Sequence, residues 1–263
     1  MISSTANEKV KLLRSLHEAK GRKKNQSFLV EGVRLVEEAL RAGIRPSVVL
    51  VDQEQLVRTD RGAELLASLP QSSWTPVTAN VLKAVATTVT PQGIVAALPI
   101  PRPAEPVVLG SLALVLDRLA DPGNVGTILR TAEAAGVSTV ALVTGTVDPY
   151  SPKVVRAGAG AHFHLNLLVE ETWSSLRRRM SDREVLVATV EGGRWHFQID
   201  WTKPVALVIG SEAHGVSDEA LQAATGRVSI PMVGRAESIN AAVAAGVVLF
   251  EALRQRMRLQ LRH

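Results

Sequence analysis

Cysteine is absent from the 263 residues, which excludes disulfide bonds and thiolate metal sites. Aromatic residues make up only 3% of the chain, and no apolar run reaches the roughly 18 residues that a membrane-spanning helix needs. The His, Asp and Glu residues show no spacing typical of a metal site. The first residues lack the apolar stretch of a secretory signal peptide. Together these absences predict a cytoplasmic protein that binds neither a metal nor a membrane.

The glycine loops that bind phosphate groups in many α/β enzymes are absent as well. Neither GxGxxG after a strand nor GxxxxGK[ST] occurs, and Gly158-Ala-Gly160 lies in a stretch of helical character. An oxidoreductase or methyltransferase of the Rossmann type would carry its loop after the first strand of the domain. This chain has Asp121-Pro-Gly-Asn124 there instead, which disfavours both classes.

Four prolines between Pro99 and Pro106 divide the chain. They cannot continue a helix or a central strand, so we expect a stiff connector over 99–106. Residues 1–98 then form a small α/β domain and residues 107–263 a second one. Short Val, Leu and Ile runs in the second domain alternate with helical stretches, which predicts an α/β fold with a parallel sheet. The runs are Leu112–Leu116, Thr139–Val143, Val185–Val190, Val205–Ile209 and Val228–Ile230.

The net charge of +5 predicts an acidic partner, with nucleic acid as the main candidate. Between Lys9 and Lys24 seven basic residues face only Glu18, and the last part of this stretch is expected to be an exposed turn. A solvated surface is one interpretation of such a run. Contact with RNA phosphates is the other, and an enzyme-like second domain favours it. This hypothesis assigns the contacts to Lys20, Arg22, Lys23 and Lys24.

Polar residues stand at the carboxyl ends of three predicted strands of the second domain, where open parallel sheets bind their ligands. They belong to Asn124-Val-Gly-Thr-Ile-Leu-Arg130, Gly210-Ser-Glu212-Ala-His-Gly215, and Ile230-Pro-Met232 with Ser238-Ile-Asn240. The mixture suits a small cofactor held along the backbone beside a negatively charged substrate. Each residue also has a structural interpretation. Asn124 and Ser238 are good helix N-caps, with helices expected after Asn124 and from about Ser238, and an isolated glycine serves turn geometry.

Three segments resemble the motifs of the SpoU/TrmH family of RNA ribose 2′-O-methyltransferases, within the SPOUT superfamily. In the family's order they are Asp117–Gly136, Leu207–Gly215 and Ile230–Gly246. The resemblance implies S-adenosylmethionine as methyl donor, a trefoil knot in the second domain, and a homodimer with active sites at the subunit interface. The first domain, through Phe28–Ala39, resembles a substrate-binding domain related to kink-turn-binding ribosomal proteins.

The resemblance also implies roles for individual residues. Arg130 would be catalytic, gripping the phosphate next to the methylated ribose and stabilising the developing alkoxide. Asn124, Ser238 and Asn240 would orient the ribose, and Glu212 would either position Arg130 or brace its own loop. Residues expected to contact the cofactor, mainly through their backbones, are Thr189, Val190, Gly210, Ile230, Met232, Ile239 and Ala242. Large-subunit ribosomal RNA is the favoured substrate. Transfer RNA, or RNA binding without catalysis, are the alternatives.

Overall fold

The computed structural model describes residues 1–102, 108–212 and 214–260, and these residues form two compact units. The first unit comprises Met1–Arg102 together with Tyr150–Phe163, and the second comprises the other described residues. Residues 103–106 of the predicted connector lie outside the described part of the chain.

Helices alternate with short strands along residues 1–102. The helices are α1 (Glu8–Ser15), α2 (Ala19–Asn25), α3 (Val33–Arg41), α4 (Gln53–Leu56), α5 (Asp60–Ser68) and α6 (Ala79–Val85). The strands are β1 (Ser27–Glu31), β2 (Val48–Val51), β3 (Thr75–Pro76) and β4 (Ile94–Pro99). They form one sheet in the order β1-β4-β2-β3, in which β4 runs antiparallel to both neighbours and β3 runs parallel to β2.

The same alternation continues from residue 108 onward. The strands are β5 (Leu112–Asp117), β6 (Thr139–Val143), β7 (Asn166–Glu171), β8 (Glu184–Ala188), β9 (Arg194–Trp195), β10 (Val205–Gly210) and β11 (Gly226–Ser229). The helices are α7 (Pro122–Ala134), α8 (Pro152–Gly158), α9 (Trp173–Arg179), α10 (Asp218–Ala223) and α11 (Ala241–Gln260).

The seven strands of the second unit form one sheet in the order β7-β6-β5-β10-β8-β11-β9, and every neighbouring pair is parallel. All six residues of β5 and all five of β6 are buried, as expected for strands covered on both faces. The predicted α/β fold with a parallel sheet is therefore confirmed. In register, Gly210 at the end of β10 lies opposite Asp117 at the end of β5, so the segments that follow both strands start side by side.

The structure differs from the sequence prediction in three places. The basic run ending at Lys24 lies in helix α2, not in a turn. Strands β7 and β9 were not predicted, because β7 carries two glutamates and β9 has only two residues. The segment containing α8 follows β6 in the chain, yet it belongs to the first unit, where α8 packs against β1. There the rings of Phe28 and Tyr150 pack in a tilted arrangement, with centroids 5.0 Å apart.

Candidate active site

A cavity of about 430 Å³ opens at the carboxyl ends of β8, β10 and β11. Its wall comes from the residues after β8, the loop after β10, and the segment that joins β11 to α11. Most of its lining side chains are apolar, as is typical of small-molecule sites at this edge of a parallel sheet. Six of the seven residues predicted to contact a cofactor line this cavity: Thr189, Val190, Gly210, Ile230, Met232 and Ile239.

The seventh residue, Ala242, is not part of the cavity wall, although its neighbour Ala241 is. Ala242 is buried in the first turn of α11. Its backbone N–H donates a hydrogen bond to Oδ1 of Asn240, at 2.9 Å. Ala242 therefore supports the start of the helix that forms one side of the cavity.

Gly210 starts a tight loop at the end of β10. Ser211 and Gly215 exchange two backbone hydrogen bonds, at 2.8 and 2.7 Å, which close the loop on itself. A Cβ atom on Gly210 would lie only 2.5 Å from the carbonyl carbon and oxygen of Gly215. The glycine is required because the loop folds back over its own first residue.

Three of the predicted catalytic residues form a hydrogen-bonded chain that we call the polar triad: Asn124, Glu212 and Asn240. Nδ2 of Asn124 donates to Oε1 of Glu212 at 3.0 Å, and Nδ2 of Asn240 donates to Oδ1 of Asn124 at 2.9 Å. The backbone N–H of Ala241 also donates to Oε1 of Glu212, at 2.8 Å. In this structure the carboxylate of Glu212 thus contacts Asn124 and the start of α11, and does not contact Arg130.

The expected N-cap roles of Asn124 and Ser238 are wrong. Helix α7 begins at Pro122, and its cap is Asp121, whose Oδ1 accepts the N–H of Asn124 at 2.7 Å. Helix α11 begins at Ala241, and Oδ1 of Asn240 accepts two N–H groups of its first turn. The side chain of Asn124 is thereby free for the polar triad, and Ser238 is exposed and lines the cavity.

Arg130 lies on the exposed side of α7, six residues after Asn124. That spacing corresponds to about 9 Å along the helix axis. Its guanidinium forms no hydrogen bond or ion pair with any residue that the structure describes. An unpaired, exposed guanidinium at this position is available to an anionic ligand, since it has no internal partner to leave.

Sequence reasoning missed two residues of this site. Asp117 is fully buried, and its carboxylate accepts the N–H of Ser217 at 2.6 Å and Nε1–H of Trp173 at 3.3 Å. It thereby fixes the end of the loop that carries Glu212. An aspartate that closes a fully buried apolar run is itself a signal, because a buried carboxylate needs donors. The other missed residue is Arg227, which lines the cavity from β11.

Of the four residues predicted to contact RNA, the structure exposes three and buries one. Lys20, Lys23 and Lys24 of helix α2 are exposed. Arg22 is only 4% exposed, and its Nη1 donates to the carbonyl oxygens of Leu16 at 2.8 Å and His17 at 2.9 Å. Arg22 is therefore a structural residue that binds the carbonyls after α1, and the assignment of a phosphate contact to it is withdrawn.

No group of three or more His, Cys, Asp or Glu side chains in residues 1–102, 108–212 and 214–260 is arranged to hold a metal ion. No helix in the same ranges is long and apolar enough to cross a membrane.

Two models of known protein families match the chain, one in each unit. Residues 111–250 match the model of the SpoU rRNA methylase family, and residues 7–96 match that of the MRM3-like substrate-binding domain. The chain belongs to the SpoU rRNA methylase family. As a member, it is an enzyme that methylates RNA.

Individual relatives cover almost the whole chain. A Synechocystis protein described as an uncharacterized tRNA/rRNA methyltransferase is 39% identical, over 97% of this chain and 94% of its own. The 23S rRNA (guanosine(2553)-2′-O)-methyltransferase RlmP of Bacillus subtilis is 32% identical, over 95% and 97%. The structure of the SpoU methyltransferase AviRb from Streptomyces viridochromogenes, solved with S-adenosylmethionine, superposes with a TM-score of 0.81. It is 30% identical and covers 96% of this chain and 100% of that one.

Proposed function

We propose that this methyltransferase transfers a methyl group from S-adenosylmethionine to a ribose 2′-hydroxyl in large-subunit ribosomal RNA. The observation that carries the proposal is the polar triad beside a largely apolar cavity at the carboxyl edge of the parallel sheet. One feature holds a cofactor and the other offers amide and carboxylate groups to a sugar hydroxyl. Family membership identifies the chemistry that joins the two.

The cavity fits such a cofactor. Oγ1 of Thr189 is buried in its wall and has no hydrogen-bond partner among the described residues, so it can bond to a ligand. Most of the remaining wall is apolar and suits a nucleoside. The bound cofactor supplies a methyl group that is already electrophilic. The protein's own task is therefore alignment, which contributes roughly 7–11 kcal/mol in favourable cases.

Different residues of the chain contribute to the alignment of the reacting groups. Asn124 and Asn240 have fixed amide orientations because each is held by the triad, and they orient the ribose. Ser238 adds a hydroxyl at the edge of the cavity. Arg130 grips the neighbouring phosphate and stabilises the negative charge that develops on the 2′-oxygen. Because an arginine side chain stays protonated in proteins, the proton leaves to water or to a phosphate oxygen.

The first domain is the RNA-binding part in this proposal. We assign residues 1–98 to substrate binding, 99–106 to a linker and 107–263 to methyl transfer, and the two family matches support this division. The exposed lysines of α2 supply phosphate contacts. The substrate-binding match, and the activity named for RlmP, favour ribosomal over transfer RNA. In this proposal the protein meets its substrate in the cytoplasm, a reducing compartment that suits a chain without cysteine.

We also propose that the enzyme is a homodimer. Val243, Val247, Phe250 and Met257 recur every three, four or seven residues along α11, so they form one face. All four are exposed, Val243 by 55% and Phe250 by 49%. A second copy of the chain would cover this face, as the family resemblance implies. The trefoil knot of the second domain is part of the same proposal.

The decisive experiment has two parts. Calorimetric titration with S-adenosylmethionine and, separately, with NADPH should show binding of the first alone. Mapping of 2′-O-methyl groups in ribosomal and transfer RNA, from cells with the gene and without it, should then reveal one lost ribosomal site. A lost site in transfer RNA would identify the alternative substrate. Absence of any lost site, or of binding to S-adenosylmethionine, would contradict the proposal.

A further inference from the structure

Arg227 lines the cofactor cavity and has no part in the reaction proposed above. It and Glu212 are the two ionisable side chains among the described residues of the wall. Oε1 of Glu212 is engaged by Asn124 and by the backbone of Ala241. Arg227 forms no hydrogen bond or ion pair with any described residue, so the cavity has one uncommitted cation.

The surroundings of β11 explain why Arg227 lacks a partner. Side chains alternate along the strand, with Val228 buried in the core and Arg227 exposed on the other face. Glu184 at the start of β8, whose Oε1 lies near the preceding residue Gly226, is already paired with Arg194 of β9. Glu191, in the turn after β8, forms no ion pair with Arg227. No carboxylate of the described chain therefore competes for this guanidinium.

The guanidinium lies against the turn that continues the cavity wall. A Cβ atom on Gly192 would be 3.8 Å from Nη1 of Arg227, which places that nitrogen beside the residues that follow Thr189 and Val190. Gly193 approaches the backbone of Arg227 so closely that a Cβ there would lie 2.9 Å from its carbonyl carbon. The turn therefore packs closely against Arg227, and strand β11 fixes the backbone position of this residue.

We infer that Arg227 binds the carboxylate at the methionine end of S-adenosylmethionine, an inference that rests on the proposed function. That carboxylate is the cofactor's one anionic group, since the sulfonium and ammonium groups are cationic and the nucleoside is neutral. A guanidinium matches a carboxylate with two parallel hydrogen bonds, which gives orientation as well as affinity.

The test compares two ligands that differ only in this carboxylate: S-adenosylmethionine and its decarboxylated analogue. Calorimetry on the full chain should show that Arg227→Met weakens binding of the first about tenfold, the size expected for a partly solvated charged hydrogen bond. Binding of the decarboxylated analogue should change by less than about twofold. Arg227→Lys should lie between, because it keeps the charge and loses the fork. Arg177→Met is the matched control, an exposed arginine of α9 outside the cavity wall, and should bind both ligands like the wild type.

Each other outcome has a defined meaning. Equal weakening of the binding of both ligands would overturn the inference and place Arg227 beside the nucleoside instead. Unchanged binding of both would overturn it as well. Failure of the wild type to bind S-adenosylmethionine would instead contradict the proposed function. Should Arg227→Met fail to fold, Arg227→Gln gives the same comparison with a polar side chain in the same place.

Discussion

Replacing Gly210 with Ala should displace the loop after β10 and break the hydrogen bonds that Glu212 forms with Asn124 and Ala241. The new Cβ would lie 2.5 Å from the Gly215 carbonyl group and 2.6 Å from Cγ1 of Val216. The loop must withdraw by about 0.5 Å to reach the 3.0 Å limit of real contacts, and by about 0.9 Å to reach the ordinary 3.4 Å. Because Ser211 and Gly215 are bonded to each other in both directions, the loop moves as a unit.

That displacement affects Glu212, which the loop carries. Its bonds to Asn124 and to the Ala241 N–H are 3.0 and 2.8 Å long, so an added 0.9 Å takes both beyond hydrogen-bond range. A misplacement of about 1 Å in an active site typically costs on the order of a hundredfold in rate. The strain itself should lower the free energy of unfolding by about 1–3 kcal/mol.

Three measurements on Gly210→Ala check this chain of reasoning. Urea unfolding reports the stability, calorimetry the affinity for S-adenosylmethionine, and single-turnover methylation the chemical step. Gly234→Ala is the matched control, since a Cβ at Gly234 meets nothing within 4 Å and lies in another loop of the same site. Turnover by Gly210→Ala within a few-fold of wild type would refute the argument, because the loop would then tolerate the displacement without losing function.

Substitutions at Arg130, in helix α2 and at Gly246 test three other parts of the molecule. Arg130→Ala should abolish methyl transfer and leave the calorimetric affinity for S-adenosylmethionine unchanged, because Arg130 is outside the cavity wall; near-normal turnover would remove it from catalysis. Changing Lys20, Lys23 and Lys24 to Gln should flatten the salt dependence of RNA binding by about 0.7–0.9 log unit per lost phosphate contact, and an unchanged slope would identify a solvated face. Gly246→Ala should raise the free energy of unfolding by about 0.5–1 kcal/mol, since a Cβ there meets Thr131 Cγ2 at an ordinary 3.6 Å; a loss measured by urea unfolding would show that α7 and α11 need the closer approach.

The sequence predicted secondary structure well wherever the signal lies within a few neighbouring residues. Every apolar run predicted as a strand in the second domain overlaps a strand, although Thr189, Val190 and Ile230 lie beyond the strand ends. The signal is strongest for β5 and β6, where all residues are buried. The error at α7 was also local and avoidable. Asp followed by Pro is a strong start signal, with the aspartate as N-cap and the proline in the first turn, and it precedes Asn124 by three residues.

Contacts between distant parts of the chain were beyond sequence reasoning. Nothing in the spacing of the basic run shows that Arg22, but not Lys23, folds back to the carbonyls after α1. The bonds of the polar triad join residues 88 and 116 positions apart. Motif resemblance assigned Asn124 and Asn240 to the ribose and left Glu212 either to position Arg130 or to brace its loop. Only the structure shows that the three residues contact one another and that Glu212 is held by an amide.

The polar triad links the two halves of the site physically. Asn240 uses Oδ1 to cap α11 and Nδ2 to hold Asn124, while Glu212 bonds to the first N–H of the same helix. Helix α11 also supplies Ala241, Ala244 and Val248 to the cavity wall. The groups that we propose to orient the ribose are therefore correctly placed only when the start of α11 packs against the loop after β10. A ligand that packs against this wall stabilises that arrangement, so occupation of the cavity and order in the polar triad favour each other.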